Sequence, residues 1–243
     1  FKSIGAVFLV LIVVCSTFIE RCPDGYMPTG YTLPASGGKS GAAAKDWKGM
    51  LVSPVFYVML LLLTCGAFSG MMIISQASGI AQGLAGMSVM AASTAVSVLS
   101  LFTSSGRIVA GYISDRIGRI NTLLAACLLS VAGLILLYTT GTGQVFKFYA
   151  GISIIGICFG AFMGIFPGFT VDQFGARHNS VNYGIMFIGF ALAGYFGPNV
   201  MRRVLGADGA YKRAFLIAAV LSLVGVGLTF VYRVVLKAAR KSN

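Results

Sequence analysis

Long apolar stretches separated by short polar breaks dominate this chain. Seven of them, at about 3 to 20, 51 to 76, 88 to 112, 121 to 140, 145 to 170, 181 to 201 and 213 to 236, approach or exceed the roughly 20 residues that a helix needs to cross a hydrocarbon core. Runs such as Val55 to Leu63 and Phe215 to Leu228 are apolar on nearly every face, and the strict alternation of a membrane barrel is missing. The pattern predicts an all-α, polytopic membrane protein built as a helical bundle. The stretch 21 to 50, rich in Gly, Pro, Ser and Lys, reads as a linker. It separates the last helix of a preceding bundle, 1 to 20, from a six-helix bundle, 51 to 243. Residue 1 is Phe and the first span starts at once, without the basic start of a signal peptide. The expectation is a fragment, the second half of a larger protein whose N-terminal bundle is missing.

Composition narrows the class. The chain is 57% apolar and only 10% charged, against about 25% charged residues in soluble domains, which excludes an ordinary soluble enzyme. The net charge of +12 raises the question of nucleic acid, but such binders gather their bases on a solvated face. Here they lie mostly in the breaks between spans, so no nucleic-acid partner is expected. Eleven of the eighteen bases fall on the linker side (Arg21, Lys39, Lys45, Lys48, Arg116, Arg119, Arg177, Arg233, Lys237, Arg240, Lys241) and six on the other (Lys2, Lys147, Arg202, Arg203, Lys212, Arg213). That bias predicts a cytoplasmic linker and C-terminus in the cell's inner (plasma) membrane, with membrane lipid as the surroundings. The five cysteines show no paired spacing, so neither a metal site nor a cofactor is expected. One His and six peripheral acids assemble no catalytic constellation.

One base remains, Arg107, inside the third span. With Asp115 near the membrane surface, eight residues at about 1.5 Å each put Arg107 some 12 Å deep. A cation there costs at least about 2.5 kcal/mol on insertion scales, so it faces a partner or a watery cavity. Ser93, Ser97, Ser100, Ser104, Arg107, Gly111 and Ser114 recur at steps of four and three, which places them on one helical face. Two readings fit: a packing surface with Arg107 bonded to backbone carbonyls, or the lining of an anion path with Arg107 as receptor. All six acids lie in loops or at span ends, so none is placed to neutralise Arg107. Its planar fork matches a carboxylate bidentately.

The third and fourth spans are joined by Gly111-Tyr112-Ile113-Ser114-Asp115-Arg116-Ile117-Gly118-Arg119. This loop resembles the G-x-x-x-D-R-x-G-R signature of the major facilitator superfamily at every fixed position. The resemblance implies a conformational latch made by Gly111, Asp115, Arg116, Gly118 and Arg119; the signature alone does not say which half of such a carrier this is, but the leading helix and linker make the seven spans the sixth through twelfth of a twelve-helix carrier. Within that superfamily, Ser105-Gly106-Arg107 running into the signature, Asn182-Tyr183-Gly184 opening the sixth span, and Cys22-Pro23-Asp24-Gly25-Tyr26 in the linker resemble the oxalate/formate antiporter family. That implies transport of a small organic anion by alternating access, in exchange, with Arg107, Ser100, Ser104 and Tyr183 as substrate ligands. Oxalate carriers of that family are expected to place a second cation in the eleventh helix, whereas Tyr183 to Pro198 holds no Lys, Arg or His. This shifts the expectation toward a monocarboxylate such as formate, lactate or pyruvate. Two alternatives stand beside it: a proton-coupled monocarboxylate symporter, and a non-transporting membrane interaction protein derived from a half-carrier.

Other features carry structural expectations. Gly156, Gly160, Gly164 and Gly168 read as a packing seam, and Pro198 as a kink in the sixth span. Gln76 and Gln82 are expected at the outer end of the second. Tyr57, Phe68, Tyr183, Phe187 and Phe190 either line a cavity beside Arg107 or pack in the core.

Overall fold

The computed structural model describes residues 2–18, 45–208 and 211–241. Its contacts divide the chain into two units, Phe1–Gly38 and Lys39–Asn243. The first contributes α1, Lys2–Ser16, an apolar helix shorter than the span expected over 3 to 20; residues 19 and 20 of that expectation, and most of the linker, lie outside the described residues.

The second unit is all helical among its described residues. It starts with the short α2, Trp47–Val52, within the end of the expected linker; the Asp46 side chain caps it by accepting from the Gly49 N–H at 2.9 Å. Then come α3, Pro54–Ala85; α4, Val89–Ile117; α5, Arg119–Tyr138; α6, Val145–Phe174; α7, Asn179–Met186; α8, Ile188–Asp208; and α9, Tyr211–Lys241. Six stretches among the described residues are long and apolar enough to cross a membrane, α7 and α8 counting as one over Asn179–Gly206.

Local chemistry sets these boundaries. Pro54 opens α3 at a position that needs no N–H. The helix ends at Gly86, whose φ of +68° lets its own N–H and that of Met87 reach back to Gln82 and Ala81. Ser88 then caps α4. Between α4 and α5 the only linking residue is Gly118, at φ +91°, so the signature loop is a direct helix-to-helix corner.

One expectation needs correction. α3 continues nine residues past Gln76, which is a non-helical residue (φ −129°, ψ 16°) inside the helix rather than its end. The sixth span has, besides Pro198 inside α8, an interruption at Phe187, eleven residues earlier.

α3 and α6 form the centre. Gly66 and Gly70 of α3 leave room for the rings of Phe162 and Phe159 of α6, which a Cβ would meet at 2.1 and 2.3 Å. The buried core forms two clusters: one gathers Ile73, Leu99, Leu134, Phe148 and Phe215, the other Met59, Leu123, Phe166, Met186 and Tyr232. Near their boundary, buried Ser130 of α5 shares hydrogen bonds with Ser69 of α3 at 3.2 Å and Ser222 of α9 at 3.3 Å. Hydroxyls bonded across helices contribute about 0.6 kcal/mol each in a membrane, so this chain of three ties α3, α5 and α9 together modestly.

Burial is uneven. In α3 and α6, 61% of the most apolar window is buried, against 28% in α4 and in the α7–α8 span. The elements that carry Arg107 and Tyr183 are therefore those with most surface left uncovered by this bundle.

Candidate functional site

α4 touches α6 backbone to backbone. A Cβ on Gly160 would lie 2.1 Å from the Thr103 carbonyl oxygen and 3.0 Å from the Arg107 nitrogen; on Gly164, 2.5 Å from the Arg107 carbonyl oxygen; on Gly106, 2.5 Å from that of Ile157. The expected glycine seam is thus made, and it fixes the main chain of Arg107. With Leu99, Thr103, Gly106 and Ala110 buried on the α6 side, the side chain of Arg107 emerges on the exposed face with Ser93, Ser97, Ser100 and Ser104.

That exposed surface is itself divided. Successive helical residues differ by about 100°, so Leu101, Ile108 and Tyr112, 64%, 76% and 59% exposed, form an apolar strip beside the serine and arginine strip. Ser93, Ser97 and Ser100 donate to carbonyls of their own helix four residues back, at 3.2, 3.4 and 3.0 Å. No other described helix uses them. The stripe does not stay on one face: Gly111 is half-buried and Ser114 fully buried. A repeat averaging 3.5 residues drifts about 20° per heptad on a straight helix, about 60° over three.

Among the described residues no carboxylate lies within ion-pair distance of Arg107. Tyr183, the other expected ligand outside α4, is half-buried on α7. The Tyr183 ring meets Phe187 at 5.5 Å, Phe187 stacks on Phe190 at 4.6 Å, and Phe190 meets Phe159 of α6 at 6.1 Å. The aromatic residues around Tyr183 thus form one row leading into the core. Tyr57, by contrast, packs against Phe56.

At the α4–α5 corner the signature residues divide their work. Arg119 is the hub: its Nε donates to Asp172 Oδ2 at 2.6 Å, one Nη pairs with Asp115 at 3.2 Å, and the other reaches the Ser114 hydroxyl at 3.3 Å. Arg116 instead folds back over the Tyr112 ring, 4.4 Å from its centre, and bonds the Tyr112 hydroxyl. Gly118 supplies the positive φ of the corner. At Gly111 a Cβ would meet nothing within 4 Å among the described residues; the close helix contact is at Gly106, five residues earlier. Residues 114–119 and Asp172 line a polar recess of about 360 Å³.

Sequence reasoning missed Asp172 and the seat of Arg119. A Cβ on Gly168 would fall 2.6 to 2.8 Å from the Arg119 guanidinium, so the last glycine of the seam holds a side chain rather than a helix. The signal was present: Gly168 and Asp172 are four apart, as are Asp115 and Arg119. Gly168→Ala is expected to displace the guanidinium from Asp172 for less than about 1 kcal/mol, because the pair is partly exposed and the obstructed group is a flexible tip. A double-mutant cycle checks this: Gly168→Ala should add almost nothing once Asp172→Asn has removed the pair.

The profile of the Major Facilitator Superfamily matches residues 1–198. An "uncharacterized MFS-type transporter YhjX" of Escherichia coli (strain K12) is 29% identical over 190 residues, covering 77% of this chain and 45% of that protein. The "Oxalate:formate antiporter" of Oxalobacter formigenes is 27% identical over 245 residues, covering 95% of this chain and 55% of that protein. The chain spans about half the length of these curated relatives. Among solved structures, the transporter FucP in the outward conformation shares 18% identity at a TM-score of 0.64, over 93% of this chain and 52% of that one. An inward-facing, unoccupied bacterial homologue of the human lysosomal transporter Spinster shares 16% at 0.64, over 96% and 58%. At such identities the structures speak for the fold, and the profile for descent. The six-span bundle, its corner signature and a profile match over most of its length together establish that this chain belongs to the Major Facilitator Superfamily.

Proposed function

We propose that the full-length parent is a secondary transporter that exchanges small organic anions by alternating access, with Arg107 as the carboxylate receptor. The observation that carries this reading is an arginine whose main chain is seated against α6 well inside a span, its side chain on a serine-lined exposed face, with no described carboxylate to pair it. A charge so placed needs water or an anion. The "Oxalate:formate antiporter" relative supports the chemical class, and formate, oxalate, lactate and pyruvate are the candidates. Ser100, Ser104 and Tyr183 supply hydroxyls beside the carboxylate. The absence of a second base in Tyr183 to Pro198 favours a monocarboxylate.

The exposed faces of α4 and α8 are assigned to a preceding bundle, with the anion between the two bundles near mid-membrane. In this arrangement an empty, charged Arg107 opposes reorientation and a bound anion permits it, which ties uptake of one anion to release of another. The Arg119 hub, on the side assigned to the cytoplasm, steadies the α4–α5 corner while the bundles rock. The test is a thermal-stability screen of the purified full-length parent with formate, oxalate, lactate and pyruvate. At 100 times its Kd a ligand stabilises by about 2.7 kcal/mol, so at least one should raise Tm clearly, and Arg107→Gln should abolish the rise. Equal stabilisation of the variant, or none of the wild type, overturns the reading.

A further inference from the structure

We infer that Asn182 couples the chain entering the bundle to the anion site, with the short helix α7 as the moving part. The inference rests on the reading of Arg107 and Tyr183 above. Asn182 is completely buried. Its Nδ2 donates to the main-chain carbonyl of Lys45 at 3.0 Å, while the Lys45 N–H donates to the Phe174 carbonyl at the end of α6 at 2.9 Å. Both backbone groups of Lys45 are therefore held, one by α6 and the other by α7. Asn182 Oδ1 is buried without a partner among the described residues. A half-satisfied buried amide is costly, and what offsets that cost here is the donor end that grips the entering chain.

The grip extends beyond one bond. Asp46 starts α2 immediately after Lys45, and Met50 of α2, fully buried, belongs to the same core cluster as Met186 of α7. Segment 45–52 is thus bonded and packed to α7. The residue after Asn182 is Tyr183, about 100° around the helix; its ring meets Phe187 at 5.5 Å, and its hydroxyl is assigned to the anion in the reading above. One eight-residue helix therefore holds the entering chain with Asn182 and carries, in Tyr183, a hydroxyl assigned to the anion. The run is interrupted at Phe187, whose backbone stays in the right-handed region (φ −68°, ψ −9°), so α7 can shift without reversing the course of α8. A displacement of α7 on anion capture is passed to 45–52 through the Asn182 bond.

Hydrogen exchange read by mass spectrometry on the purified full-length parent tests this, with formate and oxalate as probes. In the wild type a bound anion should slow exchange in both 179–187 and 45–52, by at least about threefold. Asn182→Leu keeps the volume and removes the donor, and Asn182→Ala is the second variant; both are used as monodisperse preparations. Either should speed exchange of 45–52 by about tenfold or more without anion, and should confine the anion effect to 179–187. Unchanged exchange of 45–52 in both variants overturns the coupling. So does a wild-type anion effect on 179–187 that leaves 45–52 untouched, and in that case the anion site stands. No anion effect on 179–187 at all overturns the site reading, and the coupling with it.

Discussion

Arg107→Gln is expected to lower carboxylate exchange by the full-length parent in proteoliposomes at least about 30-fold. Removing one partner of a desolvated charge pair costs about 2 to 5 kcal/mol, and every 1.4 kcal/mol is a factor of ten in affinity. Gln keeps much of the length and can still donate, so the loss reports charge rather than shape. Arg107→Lys keeps the charge but replaces the planar fork by a compact ammonium. It should fall between the two, with a raised KM and a smaller change in maximal rate. Initial rates of labelled-anion uptake against a preloaded interior measure this directly, with formate and oxalate compared at each variant.

Gly160→Ala is expected to give the second large effect, on folding and binding together. Its new Cβ would meet the Thr103 carbonyl oxygen at 2.1 Å and the Arg107 nitrogen at 3.0 Å. Both are main-chain atoms of a long helix, so relief comes only by moving α4 away from α6. Overpacking of this kind costs about 1 to 3 kcal/mol, and a displaced α4 carries Arg107 with it. Gly164→Ala, facing the Arg107 carbonyl oxygen at 2.5 Å, should behave alike. Gly227→Ala in α9 is the control: a Cβ there meets nothing within 4 Å, and Ala is favoured over Gly in a helix by up to about 1 kcal/mol. Thermal unfolding and anion affinity, measured on the same preparations, should fall together for the seam variants and hold for the control.

Much of this was legible in the sequence because the bilayer enforces it. Twenty apolar residues in a row have few fates, and the six spans of the bundle stand where the pattern places them, with edges extended by polar turns that hydropathy ignores. α3 shows why: Gln76 and Gln82 look like an end, yet the Ala and Gly residues around them continue the helix until Gly86 turns it. The glycine steps of α6 were readable as a seam, but not its partner, since spacing along one helix says nothing about which neighbour fills it. Arg107 was found because charge is rare in a span. Asp172 was not singled out, because an acid at a span end is common, and Asn182 entered only as part of the Asn182-Tyr183-Gly184 motif, with no role of its own. Their roles come from chain segments 53 and 137 residues away in sequence, brought there by the packing of α6 and α7.

The central claim is that the serine and arginine strip of α4 is a wet anion site rather than a lipid-facing or packing surface. Cysteine accessibility tests it most directly, using Ser104→Cys and Ile108→Cys in the full-length parent with its native cysteines replaced, and a charged, membrane-impermeant methanethiosulfonate reagent. Ser104→Cys should react, formate or oxalate should slow that reaction several-fold, and the protection should vanish when Arg107→Gln is added. Ile108→Cys, on the apolar strip about 100° around the helix from Arg107, should stay unmodified. A Ser104→Cys that is inert, or that reacts at the same rate with and without saturating anion, would contradict the account.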